Sequence, residues 1–97
     1  MFVVYALIDP RDTTCRYVGM TNDLTERFIT HISNREVNHG KNSWILELRG
    51  SGLLPICRTL QVCDTEREAR EAERDWIAGF LEIEHPLYNS ERTGKQR

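Results

Sequence analysis

Three groups of side chains in this 97-residue sequence have types and spacings that can do chemistry. The first is a glutamate in an apolar setting. With residues placed 100° apart, Ala69, Ala72, Trp76, Ile77 and Phe80 fall in one apolar arc of a helix, and Glu73 falls inside it. An ionised carboxylate there is costly unless it is paired or bound to a metal. The plainer alternative is a carboxylate at the edge of the stripe, bridged to an arginine. The second group is Arg27 and His31, spaced i, i+4 on an earlier helix and flanking a Leu24/Phe28/Ile32 stripe. A guanidinium binds phosphate oxygens bidentately, and an imidazole can move a proton. A surface arginine beside a half-buried histidine has the same spacing. The third group is Tyr5 and Tyr17, on two short apolar runs; as an isolated pair they read equally as core or rim residues.

The elements that must position these groups are legible. Phe2 to Ile8 is β-branched and aromatic, the pattern of a strand. Residues 9–14 carry turn chemistry, and residues 15–19 read as a second strand that closes a hairpin. Asp23 followed by Glu26 opens a helix near Leu24. Residues 34–41 are polar and read as a loop, after which Asn42 or Ser43 caps a short helix through Trp44, Ile45 and Leu48. The Gly50-Ser51-Gly52 cluster stops it. Residues 56–63 form a third strand with Ile56, Leu60 and Val62 on one face and with Cys57 and Cys63 at one parity. Thr65 and Glu68 make a capping box for a helix running to about residue 81. The order β-β-α-α-β-α predicts an α+β fold: a three-stranded antiparallel sheet with helices packed on it. The domain is expected over residues 1–90, followed by a polar tail at 91–97.

At 11.4 kDa, with 39 % hydrophobic and 29 % charged residues, the chain has the composition of one soluble globular domain. No apolar run approaches the ~18 residues of a membrane span, and the N-terminus lacks the pattern of a signal peptide. Three cysteines (Cys15, Cys57 and Cys63) without a C-x-x-C motif argue against a disulfide framework or a zinc knuckle and fit a reducing cytoplasm. Thirteen basic and fifteen acidic side chains leave a net charge of −2. A nonspecific polyanion binder is usually basic overall, so any nucleic-acid contact must be local, weak, metal-assisted or helped by a partner.

Read in order, the candidate residues form a pattern. Val3-Val4-Tyr5 is followed by Tyr17-Val18-Gly19, then by Thr21, Arg27 and His31, and far along by Glu73-x-x-Trp76-Ile77 and Leu87-Tyr88-Asn89. This resembles the GIY-YIG endonuclease superfamily over nearly the whole chain. One departure is that Val3 stands where the family has its leading glycine. The resemblance implies hydrolysis of a DNA phosphodiester with a divalent metal, Mg²⁺ or Mn²⁺. It implies Tyr5 as general base or relay toward the attacking water, and Tyr17 as the residue that shapes the site. Arg27 would contact the scissile phosphate, His31 would assist the tyrosine, Glu73 would ligate the metal, and Asn89 would hold the site together. Lys41 lies where members often place a basic or polar group, a further phosphate contact. DNA is the implied partner, bound weakly through local basic contacts, with a separate DNA-binding domain or protein partner supplying affinity. The alternatives are a noncatalytic nucleic-acid- or partner-binding module on the same fold, and an interaction protein held by the helix over 66–81.

Overall fold

The computed structural model describes residues 1–33 and 39–89. Six elements follow in the expected order: β1 (Phe2–Ile8), β2 (Cys15–Thr21), α1 (Leu24–Ile32), α2 (His39–Gly50), β3 (Ile56–Cys63) and α3 (Glu66–Glu82). The polar tail at 91–97 lies outside the described residues.

The strands make one antiparallel sheet in the order β2-β1-β3. Central β1 is covered on both faces, which is why its sequence is a continuous apolar run rather than an alternating one. Val4 and Ala6 pack with Val18, Ala69, Ala72 and Leu87 on the α3 side. Tyr5 and Leu7 pack with Tyr17, Trp44, Ile45 and Leu48 on the other side, where Leu24 and Phe28 of α1 join them. Fully burying a side chain such as Val4 or Leu7 stabilises the fold by roughly 1.5–3 kcal/mol.

The helix signals act as written at two of the three starts. Asp23 caps α1, its carboxylate accepting from the Glu26 N–H at 3.1 Å. Thr65 and Glu68 cap α3 reciprocally. At the end of α2, Gly52 takes φ +75°, a value that favours glycine, and the Leu53 N–H returns to the Leu48 carbonyl at 2.8 Å.

Two expectations are corrected. The segment 34–41 is not wholly loop: residues 34–38 lie outside the described residues, but α2 begins at His39, ahead of the expected Asn42 or Ser43 cap. Lys41, Trp44, Ile45 and Leu48 then form one buried helical stripe. On β3 the expected face breaks. The pairing to β1 shifts between Val4↔Gln61 and Tyr5↔Thr59, so one residue is extra. Ile56 and Val62 are exposed, and Leu60 is half-buried on its own. Equal parity therefore no longer means a shared face. Cys57 packs on the Tyr5 side and Cys63 on the α3 side.

A buried carboxylate ties the β1–β2 turn to α2. Asp9 is fully buried and accepts from the Arg11 backbone N–H at 2.8 Å, Arg11 Nη2 at 2.8 Å and Trp44 Nε1 at 2.9 Å. Arg16 Nη2 approaches to 3.3 Å. The Arg11 hydrogen bonds hold the Asp9 carboxyl far below the usual carboxylate range, against the opposing effect of burial. Because the folded value is depressed, this contribution is present above the unfolded aspartate value near ~3.9 and is lost as pH falls toward the lower folded one. Asp9→Asn should cost about 1–3 kcal/mol at pH 7, the scale for losing hydrogen bonds to a charged group whose partner is itself partly exposed. It should also flatten the fall in stability below about pH 4. Urea unfolding across that range is the check; a variant with wild-type stability and the same acid limb would contradict it.

Candidate active site

The site is built on the face of the sheet that carries Tyr5. Tyr5 on β1 pairs directly with Gly19 on β2, and Leu7 pairs with Tyr17. The Tyr5 ring lies against Gly19 so closely that a Cβ there would come 2.5 Å from the hydroxyl oxygen and 2.7 Å from Cζ. Glycine is thus required by close approach, not by its own backbone angles. Val3, at the position of the family's leading glycine, pairs regularly with Thr21 and Val62. It has no positive φ, so the departure from the pattern leaves the strand intact.

His31 is the buried residue of α1, at 0 % exposure. The sequence placed it at the edge of a Leu24/Phe28/Ile32 stripe; those three are half-buried and the imidazole goes deepest. Its Nε2 and the Tyr5 hydroxyl are hydrogen-bonded at 2.6 Å. Its Nδ1 and Lys41 Nζ are hydrogen-bonded at 2.7 Å. The Tyr17 ring meets it edge-on, with centroids 5.1 Å apart. Lys41 is itself fully buried and faces the histidine, whereas the sequence put it in a phosphate-contacting loop.

Tyr5 and Tyr17 also line an open cleft of about 430 Å³, together with Arg27 of α1 and Glu73 of α3. The cleft thus unites four of the residues singled out in the sequence, from four elements. Arg27 and Glu73 are both half-buried. Glu66, Arg70 and Glu73 enter from one flank of α3 at helical spacing, with Arg70 paired to Glu66. Asn89 does not line the cleft. Its side-chain amide accepts from the Val18 N–H at 2.8 Å and donates to the Val18 carbonyl at 2.7 Å. The Tyr88 N–H donates to the Arg16 carbonyl at 2.7 Å. The segment at 88–89 therefore pins β2 between Tyr17 and Gly19.

The donors suit some chemistry and exclude other kinds. No group of three or more His, Cys, Asp or Glu side chains able to hold a metal occurs among the described residues. A half-buried carboxylate in an open cleft suits a hard cation that keeps most of its waters. Cys15 and Cys57 are not poised as nucleophiles. Burial pushes Cys15 up to about 11 and raises Cys57 as well.

Sequence reasoning missed the role of Gly19 as the floor under Tyr5 and that of Asp9 as the anchor of α2. It also missed the depth of Lys41, although the 41/44/45/48 spacing was there to be read once the helix began at residue 39. Gly19→Ala should leave the sheet folded but displace the Tyr5 hydroxyl from His31. The expected cost is about 1–3 kcal/mol, the range for overpacking a tight site. Thermal melts and the Tyr5 ring signals in an NMR spectrum would check this; unchanged ring signals would contradict it.

The family model described as the GIY-YIG catalytic domain matches residues 1–82. No match to the chain was found among curated proteins or among solved structures. The match covers every element from β1 to α3. The chain belongs to the GIY-YIG catalytic-domain family, whose members are nucleases that generally use a divalent metal.

Proposed function

We propose that this domain is a metal-dependent DNA endonuclease that hydrolyses a phosphodiester with the help of Tyr5. The observation that carries the reading is the cleft in which Tyr5, Tyr17, Arg27 and Glu73 converge, with His31 behind the phenol at 2.6 Å. Hydrolysis needs a base for the attacking water and positive charge for the phosphoryl oxygens. In this reading Tyr5, as the phenolate, takes the water proton, the water oxygen bonds to phosphorus, and the bond to the 3′ oxygen breaks, that oxygen leaving as a hydroxyl with a proton from solvent water. An ordinary phenol titrates near ~10 and is a weak base at neutral pH, so the hydrogen-bonded imidazole and the nearby Arg27 cation matter. Arg27 grips the scissile phosphate through its paired N–H donors. Tyr17 packs His31 and shapes the wall. Asn89 keeps β2 in register beneath them.

Glu73 is the residue that would hold the metal, and one carboxylate is enough for Mg²⁺ or Mn²⁺ when waters and substrate fill the rest of the shell. When bound, the ion supplies charge neutralisation at the phosphoryl oxygens and the leaving group. DNA is the substrate class, held through local contacts, with further affinity supplied by another domain or a partner. No helix among the described residues is long and apolar enough to cross a membrane, and catalysis in the cytoplasm is our reading. The rival reading, a noncatalytic binding module, draws on the net charge of −2. It leaves the convergence of a base, a cation and a carboxylate on one cleft without a purpose.

Supercoiled plasmid at low salt, with Mg²⁺, Mn²⁺ or EDTA, tests the proposal. Nicking should require the metal. Glu73→Ala and Arg27→Ala should each lower the rate by about 10²–10³-fold, the scale for losing one element of charge stabilisation. Full cleavage by Glu73→Ala at saturating Mg²⁺ would overturn the metal assignment. DNA affinity should fall steeply as salt rises, as phosphate contacts require; a flat dependence would contradict them.

A further inference from the structure

The hydrogen bond between Lys41 and His31 decides the direction of the one between His31 and Tyr5. A charged lysine has three donors and no acceptor, so in the 2.7 Å bond to Nδ1 the imidazole nitrogen must accept. A neutral imidazole then carries its proton on Nε2, and the 2.6 Å contact is Nε2–H donating to the Tyr5 oxygen. We propose that Lys41 is a positioning residue that locks His31 in the Nε2–H tautomer and thereby makes the Tyr5 oxygen an acceptor toward the histidine. The catalytic consequence rests on the nuclease reading above; the tautomer does not.

The surroundings favour the charged lysine. Full burial penalises an ammonium. Against that, Nζ lies 2.7 Å from the imidazole Nδ1 and 5.4 Å from the Tyr17 ring centroid, within cation–π range. Tyr5 of β1, Tyr17 of β2 and Lys41 of α2 are among the groups that face His31, with Arg27 one turn earlier on its own helix. The position of Lys41 is in turn fixed by α2. It shares a buried stripe with Trp44, whose Nε1–H donates to Asp9 at 2.9 Å.

The mirror arrangement has a neutral Lys41 accepting from Nδ1–H and the Tyr5 O–H donating to Nε2. The two differ in what the histidine does. In the mirror form it takes the phenol proton. In the locked form it keeps its own proton throughout and stabilises the phenolate as a donor. The phenol proton passes to solvent water in the open cleft as the phenolate forms. The phenolate then takes one proton from the attacking water, so one O–H bond breaks and one forms.

Uniformly ¹⁵N-labelled full chain, free of metal and DNA, gives the tautomer directly from the ring ¹⁵N shifts and their couplings to carbon-bound ring protons. The His31 signals are assigned by their loss in His31→Gln. We expect Nε2 protonated and Nδ1 bare. A ring protonated at Nδ1, or at both nitrogens, would overturn the proposal, and this measurement needs no folded Lys41 variant. Lys41→Met, where folded, should lose the Nε2–H preference and cut with kcat at least about 10-fold lower at unchanged DNA affinity. Retention of the wild-type tautomer in that variant would also overturn it. A wild type that cuts no DNA but shows the Nε2–H ring would sink the nuclease reading and leave the tautomer assignment standing. An active enzyme with an Nδ1–H ring would do the reverse.

Discussion

An imidazole at 0 % exposure with both ring nitrogens engaged is the constraint on which the rest of the molecule depends. Leaving either nitrogen unsatisfied in the interior would cost on the order of 1–3 kcal/mol. His31 therefore fixes the distance between the central strand on one side and α2 on the other. Tyr5 and Lys41 hydrogen-bond its two nitrogens, and they lie 26 and 10 residues from it in sequence. Through them the hydrogen-bonding needs of one ring hold β1, α1 and α2 together, with Tyr17 of β2 packed against its edge.

Each partner has its own support. Tyr5 can lie where it does because Gly19 has no side chain and because β2 is pinned from outside by Asn89. Lys41 is buried because α2 cannot rotate: Trp44, one turn on, is held by Asp9, and Asp9 is held by Arg11 of the β1–β2 turn and Arg16 of β2. Residues that never line the cleft thus set the geometry of those that do. The sheet contributes differently on its two faces. One face packs on α3 as ordinary apolar core, and the other carries the phenols and the imidazole.

The order and type of the elements were legible in the sequence because periodicity and caps are local signals: the Thr65/Glu68 box, the Asp23 cap and the unbroken β1 run each act within a few residues. The face assignments on β3 were not, because an extra residue opposite the Val4/Tyr5 step is a tertiary event that period-2 counting cannot see. The start of α2 was hidden by polar residues ahead of Trp44, and with it the depth of Lys41. The convergence of Tyr5, Tyr17, Arg27 and Glu73 was legible only as a pattern along the whole chain; no local spacing relates β1 to α3. The acidic side chains are spread over more than one surface. Asp64, Glu68, Glu71 and Asp75 line a separate hollow beside β3, while the cleft flank of α3 pairs Glu66 with Arg70. Exposed charges separated by more than a Debye length, about 8 Å at physiological salt, are largely screened from one another.

The central claim is that the Tyr5 oxygen is the atom through which the site acts on water. Tyr5→Phe removes that atom and leaves the ring packed on Gly19. Single-turnover cleavage by the variant at saturating DNA and Mg²⁺ tests it most directly. We expect a folded protein of near-wild-type DNA affinity whose cleavage rate falls by about 10²–10⁴-fold, the range of a lost general base. Cleavage at the wild-type rate would contradict the account.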